Sequence, residues 1–169
     1  DNTPAAAYSL RKVRNDYSGN AVQIRRASDD VEVNVAFDSN GEVSTSSAIS
    51  NVVESPDAGD TTATTLGEFL TEGGNQDATV VTWYDQSGNG NDATQLATGE
   101  QPLIAENGAV LTDGVDFDGV DDELEVSSFI AGSNFSAFSL LQCSDISSNE
   151  NQAWNFTDSS TEFYGLTFN

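Results

Sequence analysis

The segment Val31-Glu32-Val33-Asn34-Val35-Ala36-Phe37 carries a valine or a phenylalanine at every second position, with polar or small residues between them. Successive side chains of a β-strand point to opposite faces of a sheet, so this period of two predicts a strand with one buried face. Val22 and Ile24 alternate in the same way over residues 21–27, and a polar turn at 28–30 separates the two runs. We therefore expect a β-hairpin here.

Further strands are predicted along the rest of the chain. Residues 78–84 are β-branched and aromatic, which is typical of a central strand. Turn signals recur at intervals that favour a sandwich over βαβ units, whereas residues 44–65, rich in small polar residues, indicate a long surface loop. The other expected strands lie at 109–117, 123–127, 135–142, 152–157 and 162–168.

Two short helices are predicted in addition. Thr3 suits an N-cap and Pro4 the first helical position, so we expect a helix from there to about Val13. Thr65 and Glu68 have the spacing of a capping box and begin a second short helix. The fold class expected from these elements is all-β with a short N-terminal helix.

The chain length of 169 residues fits a single domain over residues 1–169, which a longer parent protein could continue. A domain of this size buries roughly 70% of the surface that its unfolded chain exposes, so it needs no disulfide. Cys143 is the only cysteine, and its alternating surroundings predict a buried thiol. No apolar run is long enough to span a bilayer, so membrane insertion is not expected.

Charge is the strongest compositional signal. The chain has 28 acidic residues, 5 basic residues and no histidine, which gives a net charge of −23, and every basic residue lies within the first 26 positions. Self-repulsion at this charge costs folding free energy at low salt, and bound cations or concentrated salt relieve it. Binding to nucleic acid or to an anionic membrane surface is disfavoured, because phosphate contacts need Lys and Arg.

Three segments carry a family resemblance. Residues 83–94, Trp-Tyr-Asp-Gln-Ser-Gly-Asn-Gly-Asn-Asp-Ala-Thr, resemble the Asp-x-Ser-Gly-Asn-Gly-Asn loop of laminin-G-like, concanavalin A-like domains. Residues 115–122, Val-Asp-Phe-Asp-Gly-Val-Asp-Asp, resemble the Phe-Asp-Gly-x-Asp-Asp hairpin of the same superfamily, with matching order and spacing. Residues 6–12 and 17–30 resemble the opening of a subgroup found in appendage proteins of tailed viruses, which is related to the catalytic domain of fungal α-L-arabinofuranosidase B.

This resemblance implies a concanavalin A-like jelly roll, a sandwich of two antiparallel sheets. It also implies a virion surface domain, on a tail, fibre or capsid spike, that attaches to host-surface glycans or decorates the particle in a saline environment. The implied partners are other virion proteins and host glycans, in a homo-oligomer because appendages are symmetric. The alternative is a secreted carbohydrate-binding module or an arabinofuranosidase-like glycosidase fragment.

The first acidic loop is a candidate Ca²⁺ site. Its oxygen ligands stand at short spacing around two glycines, which suits calcium coordination. The other interpretation, which we favour, is a tight turn whose side chains bond to backbone N–H groups. The residues concerned are Asp85, Asn89, Asn91 and Asp92.

The second acidic loop, residues 116–123, superficially mimics a calcium loop, but Ser127 stands where an EF-hand has its bidentate glutamate. In the resembled family this stretch is a strand, a turn and a strand. That interpretation, which we favour, places Phe117 inward and Gly119 in the left-handed region.

Arg25 and Arg26 occupy neighbouring strand positions, so one of them shares the inward face of the strand. A buried arginine needs a carboxylate partner, for which Asp85 and Asp116 are candidates. The alternative is an arginine that binds a ligand.

Exposed aromatic rings are the candidate ligand-binding feature, because sugars stack on them. Trp154, beside Asn155, is the preferred ring, and Tyr164 is a further one. No enzyme is expected: without histidine and with one cysteine predicted to be buried, the usual nucleophile pairs are absent. Pairs of carboxylates occur by chance among 28 acids, so they do not indicate a glycosidase.

Overall fold

The computed structural model describes residues 4–53, 61–126, 138–142, 151–157 and 163–168, and for the last two ranges it describes the strand backbone. Contacts divide the chain into two compact units, Asp1–Ile130 and Ala131–Asn169, which are described separately. A single domain over residues 1–169 stays a prediction. Cys143 lies outside the described residues.

The structure is mostly antiparallel β-sheet, which confirms the all-β class. The first unit contains helix α1 (Leu66–Thr71) and a 3₁₀ turn at Thr98–Glu100, and the second contains the antiparallel pair β9 (Asn151–Thr157) and β10 (Phe163–Phe168). The strands of the first unit are β1 (Val22–Arg26), β2 (Glu32–Val35), β3 (Ile49–Val53), β4 (Ala78–Trp83), β5 (Ala93–Thr94), β6 (Leu103–Glu106), β7 (Ala109–Val110) and β8 (Glu125–Val126).

The sheet of the first unit runs in the order β3-β2-β1-β4-β5-β8, and β6 pairs with both β4 and β7. The predicted hairpin is confirmed as β1 and β2, with Val22 opposite Val35 and Ile24 opposite Val33. The central position of β4 is confirmed as well, because β1 lies along one of its edges and β5 and β6 lie along the other.

The register of this sheet gives it two chemically different faces. Paired residues form rows across six strands, and neighbouring rows point to opposite faces. One row is apolar and consists of Ile49, Val35, Val22, Trp83, Ala93 and Val126. The next row is polar and consists of Ser50, Asn34, Gln23, Thr82, Thr94 and Glu125.

The apolar face forms the core with α1. Leu66, Phe69 and Leu70 of this helix are buried in the same cluster as the inward side chains of β1, β2 and β4. Burial of each such side chain contributes roughly 1.5–3 kcal/mol. The predicted capping box is confirmed, because the Thr65 hydroxyl accepts from the Glu68 N–H while the Glu68 carboxylate accepts from the Thr65 N–H.

The predicted N-terminal helix is not formed, and residues 4–13 follow an irregular course. A helix needs its own backbone groups for i to i−4 bonds. Here the Ala7 N–H donates to Asp85, and the Ala7 carbonyl accepts from the Gln86 N–H. Long-range hydrogen bonds therefore replace the local ones that the sequence suggested.

Some strand boundaries also differ from those predicted. The expected loop 44–65 contains β3, because the outer edge of β2 offers it backbone partners. Of the expected strand 109–117, only β7 is formed as a strand. It pairs with β6, which precedes it, across a tight turn at Asn107 and Gly108. The φ angles of these two residues, 52° and 81°, suit an Asn-Gly hairpin. Residues 138–142 are not in a strand, and no helix of the described residues is long and apolar enough to cross a membrane.

Candidate functional site

The side of the sheet opposite the core carries a continuous polar surface, which we call the polar face. Its side chains alternate with the core residues of β1, β2 and β4, and they are joined by residues that flank β4, β5 and β6. Arg25 and Gln101 are only 6% and 5% exposed, so the centre of this face is largely shielded from water. The members are Gln23, Arg25, Glu32, Asn34, Thr79, Thr82, Tyr84, Gln95 and Gln101.

Arg25 is the hub of one hydrogen-bond cluster on this face. Its Nε donates to Gln101 Oε1 at 3.1 Å, its Nη2 donates to the same oxygen, and its Nη1 donates to Asp30 Oδ1 at 3.0 Å. Thr79 Oγ1 also donates to Gln101 Oε1, at 2.8 Å, and Gln101 Nε2 donates to the carbonyl of Gln95 at 2.7 Å. The guanidinium is thereby held by partners within the chain.

A second cluster spans β2, β1 and β4. Gln23 Nε2 donates to Glu32 Oε2 at 3.2 Å, and Thr82 Oγ1 donates to Gln23 Oε1 at 3.3 Å. The Tyr84 hydroxyl donates to Asn34 Oδ1 at 2.8 Å. Within the described part of the chain the Asn34 amide nitrogen makes no hydrogen bond, although Asn34 is only 9% exposed.

Two titratable groups on the polar face have pKa values above their ordinary range. Burial raises the pKa of the Glu32 carboxyl, with Asp30 adding to the effect and Arg25 opposing it. Burial, together with the charge of Asp92, also raises the pKa of the Tyr84 hydroxyl. Tyr84 therefore keeps its proton, and remains a donor, throughout the neutral range.

The chemistry of this face suits a neutral, polyhydroxylated ligand. Amides and hydroxyls fixed across a rigid sheet offer donors and acceptors at set positions, and binding sites use a small number of such groups to orient a ligand. A ring such as that of Tyr84 adds apolar contact area next to a polar atom. Because Arg25 is already paired with Asp30, it is poorly suited to clamp an anionic group.

Arg26 lies on the opposite, inward side and is 3% exposed. The candidate partners Asp85 and Asp116 were wrong. Arg26 pairs instead with Asp29 at 2.7 Å and Glu72 at 3.1 Å, because the turn after β1 and the end of α1 bring these carboxylates to it. It ties the hairpin to the helix and is part of the scaffold.

The first acidic loop has the geometry of a hydrogen-bonded turn. Asp85 is 3% exposed; its Oδ1 accepts from the N–H groups of Ala7 and Ser87, each at 2.8 Å. Its Oδ2 accepts from Ser87 Oγ at 2.6 Å and from the Asn91 N–H at 3.1 Å. Burial would raise the pKa of Asp85, but these hydrogen bonds outweigh it and lower the pKa below its ordinary value.

The remaining candidate calcium ligands lie in the same loop. Asp92 Oδ1 accepts from the Asp85 N–H at 2.8 Å, and Asn89 and Asn91 each donate through Nδ2 to the carbonyl of Ala5. These four residues therefore lie together in one loop. The Asp85 carboxylate, Asp92 Oδ1 and the amide nitrogens of Asn89 and Asn91 are engaged with the chain, and a bound Ca²⁺ stays a prediction.

In the second acidic loop, carboxylate oxygens of Asp118, Asp121 and Asp122 lie within 4.8 Å of one another. Asp118 Oδ1 accepts from the N–H of Val120 at 2.8 Å, which marks a tight turn, and Gly119 has the predicted left-handed φ of 76°. Such exposed acidic groups are common in turns. Phe117 is 44% exposed, so the expected inward position was wrong, because residues 111–115 and 117–124 form no strand that would place its ring in the core.

Of the predicted sugar-binding residues, Trp154 and Asn155 lie in β9 and Tyr164 lies in β10. Asn155 is paired with Gly165 and Phe156 with Tyr164, which places the three positions close together on adjacent strands. Their side chains lie outside the described residues, so their role in binding stays a prediction.

The sequence analysis did not identify the polar face. The sequence pattern that could have revealed it is the polar residue at alternate strand positions, as at Gln23, Asn34 and Thr82. In the sheet, Gln23 lies opposite both Asn34 and Thr82. Gln101 lies outside any strand and could not be placed without the fold.

Comparisons with protein-family models, with curated proteins and with solved structures find no match. The concanavalin A-like resemblance therefore stays a prediction.

Proposed function

We propose that this chain is a surface domain of a virion appendage, on a tail, fibre or capsid spike, and that its polar face binds neutral host-surface glycans. The observation that carries the proposal is the arrangement of Asn34, Gln23 and Thr82 on three adjacent strands, with no partner for the Asn34 amide nitrogen among the described residues. The domain binds and does not catalyse.

Charge supports a neutral ligand and a saline setting. Four of the five basic residues have a carboxylate partner, with Arg11 on Glu42 and Arg14 on Asp16 in addition to the two arginines of β1. A glycan that carries sulfate or carboxylate groups would meet a protein of net charge −23 with few free cations. A neutral sugar avoids this repulsion, and concentrated salt keeps the acidic surface hydrated.

The proposed architecture is a single jelly-roll sandwich of two antiparallel sheets in a homo-oligomer on the virion surface, beside other virion proteins. Antiparallel pairing throughout the sheet of β1–β8 and the two motif loops support this fold. A crystal structure tests it, since a sandwich requires two sheets that face each other about 10 Å apart.

The functional test is binding of the purified chain to a glycan array and to host envelopes at about 2 M NaCl, where the Debye length is only a few Å. Asn34→Asp removes the donor nitrogen and keeps the acceptor for the Tyr84 hydroxyl. Asn40→Asp makes the same chemical change in the exposed turn after β2 and is the matched control. We expect saturable binding to neutral glycans, a loss of about tenfold or more in Asn34→Asp, roughly 1.4 kcal/mol, and no loss in the control.

Other outcomes would redirect the assignment. Binding that survives Asn34→Asp but disappears in Trp154→Ala would place the site on β9 and β10. Hydrolysis of an aryl arabinofuranoside would favour the glycosidase alternative. No binding by a folded sample would leave a decoration domain without a glycan ligand.

A further inference from the structure

The loop at residues 85–91 binds the extended segment of residues 4–13 almost entirely through main-chain atoms of that segment. Gln86 is fully buried, and its carboxamide accepts from the N–H of Val13 at 2.9 Å and donates to the carbonyls of Ser9 and Arg11 at 2.8 and 3.1 Å. The Asp85 carboxylate accepts from the N–H of Ala7. Recognition of this kind depends on an extended backbone and little on its side chains.

The same loop also takes the start of the segment. The carbonyl of Ala5 accepts from Ser87 Oγ at 3.3 Å, from Asn89 Nδ2 at 3.1 Å and from Asn91 Nδ2 at 2.8 Å. Asn89 Nδ2 donates in addition to the carbonyl of Pro4 at 3.0 Å. Each polar side chain of the loop named here is therefore directed at a peptide backbone.

One side chain of the segment provides a specific anchor. Tyr8 packs against Trp83, with ring centroids 6.3 Å apart, and its hydroxyl donates to the carbonyl of Asn91. Trp83 lies at the end of β4, directly before the loop. An extended segment with small residues followed by a tyrosine is the ligand that this site fits.

The segment has a further main-chain contact of the same type. Leu10 accepts from the N–H of Val43 at 2.8 Å, and the N–H of Lys12 donates to the carbonyl of Gly41 at 2.7 Å, as in a short antiparallel bridge. No strand or helix lies between the segment and β1, where residues 14–21 form only turns and bends. A connection of this kind is able to open as a hinge without breaking the sheet.

We propose that residues 85–91 form a peptide-docking site, and that residues 4–13 of a second copy of this chain fill it in an exchanged dimer. The loop binds the segment through backbone atoms, and these are the same in every copy of the chain. Exchange of an identical segment between two copies is a low-cost route to dimers. Residues 4–13 carry two basic and no acidic side chains, so they do not add to the repulsion between two copies of this acidic chain. Salt screens the repulsion between the two bodies and favours the exchange.

The test mixes two variants of the chain, one with a defective segment and one with a defective loop. Ala7→Pro removes the N–H that Asp85 accepts, so this chain has an intact loop and a poor segment. Gln86→Leu removes three side-chain hydrogen bonds while keeping a side chain of similar size. That chain therefore has an intact segment and a loop that binds the segment weakly. At about 1 M NaCl, we expect each to be monomeric alone and the mixture to form a 1:1 dimer by light scattering.

Trp83 fluorescence reports where docking occurs when the Ala7→Pro chain carries Trp154→Phe and the Gln86→Leu chain carries both Trp83→Phe and Trp154→Phe, so that the mixture holds one kind of tryptophan. The Ala7→Pro chain should recover the wild-type spectrum when the Gln86→Leu chain is added. Ala6→Pro is the matched control, because it places a proline next to the same site and keeps the Ala7 N–H. Its loop is already filled by an intact segment, so adding the Gln86→Leu chain should leave its Trp83 spectrum unchanged. A mixture of folded variants that stays monomeric would overturn the proposal.

Hydrogen exchange of the wild-type chain gives a second test that does not depend on the folding of the variants. The amides of Ala7 and Val13 should exchange through an opening of lower free energy than that of Ile24 and Val33 in the core sheet. Equal protection at all four amides would also overturn the proposal, since no open state would exist from which a segment is exchanged.

Discussion

The guanidinium carbon of Arg26 lies 4.3 Å from the centre of the Phe69 ring, and Arg26 Nη1 donates to the Phe69 carbonyl at 2.8 Å. One side chain of β1 thus contacts both the apolar and the polar part of a residue in α1. The same guanidinium reaches Asp29 and Glu72, so its hydrogen-bond capacity is used in a place almost without water. Several interactions of the first unit depend on this arginine.

Arg26→Lys is expected to lower the free energy of unfolding by about 2–4 kcal/mol, because an ammonium cannot reproduce the planar fork that serves two carboxylates and a ring. Urea unfolding at pH 7 and high salt measures the change. Arg11→Lys is the control, because the Arg11–Glu42 pair is largely exposed, and it should change the free energy by no more than about 0.5 kcal/mol. An equal change in the free energy of unfolding in both variants would show that Arg26 contributes no more to stability than an exposed arginine.

Glu72→Gln is expected to remove an acid-sensitive part of the stability. Hydrogen bonds from Thr61 and Thr62, and then from Arg26, hold the pKa of Glu72 at about 2, against an ordinary value of 4.5. The folded pKa is the lower one, so this stabilisation is complete above about pH 4.5 and is lost as the pH falls towards 2. Wild type and variant should differ by on the order of 1–2 kcal/mol at pH 6 and converge near pH 2.

Urea titrations at several pH values follow this difference. Glu106→Gln makes the same change of charge at the exposed end of β6 and is the control. A gap between wild type and Glu72→Gln that stays constant down to pH 2 would rule out the linkage.

Asp85→Asn is expected to destabilise the chain by about 2–4 kcal/mol, because the new amide group would point a donor at N–H and O–H donors. This loss should be the same with Ca²⁺ and with EDTA, at constant ionic strength. Thermal melts of wild type and variant measure it. A wild-type melting temperature that rises with Ca²⁺, and does so no longer in Asp92→Asn, would instead assign an ion to the first acidic loop.

Salt is expected to stabilise the wild-type chain. At a net charge of −23, raising NaCl from about 0.1 M to about 2 M shortens the Debye length from about 10 Å to less than 3 Å and screens self-repulsion. Urea unfolding, which leaves the ionic strength unchanged, should show a higher midpoint at 2 M. A midpoint that falls with salt would mean that the ion pairs outweigh the repulsion.

Local patterns in the sequence predicted the structural features that depend on residues close together in the chain. The alternation of residues 31–37 gave the β1–β2 hairpin, and the spacing of Thr65 and Glu68 gave the cap of α1, because both interactions act over a few positions. The four residues of the first acidic loop lie within eight positions of one another, so the sequence itself places them together, whereas their binding of Ca²⁺ stays a prediction. Charge and its placement are properties of the composition itself.

Only the tertiary structure decided which distant groups meet. The contacts of Arg26 with Phe69 and Glu72, the Arg25–Gln101 contact and the hydrogen bonds of the Gln86 side chain to residues 9–13 join positions 43 to 77 residues apart, and no local period encodes them. The N-terminal segment shows the physical reason. Its sequence permits a helix, but the buried polar side chains of Asp85, Gln86 and Ser87 need hydrogen-bond partners, and the backbone of this segment provides them.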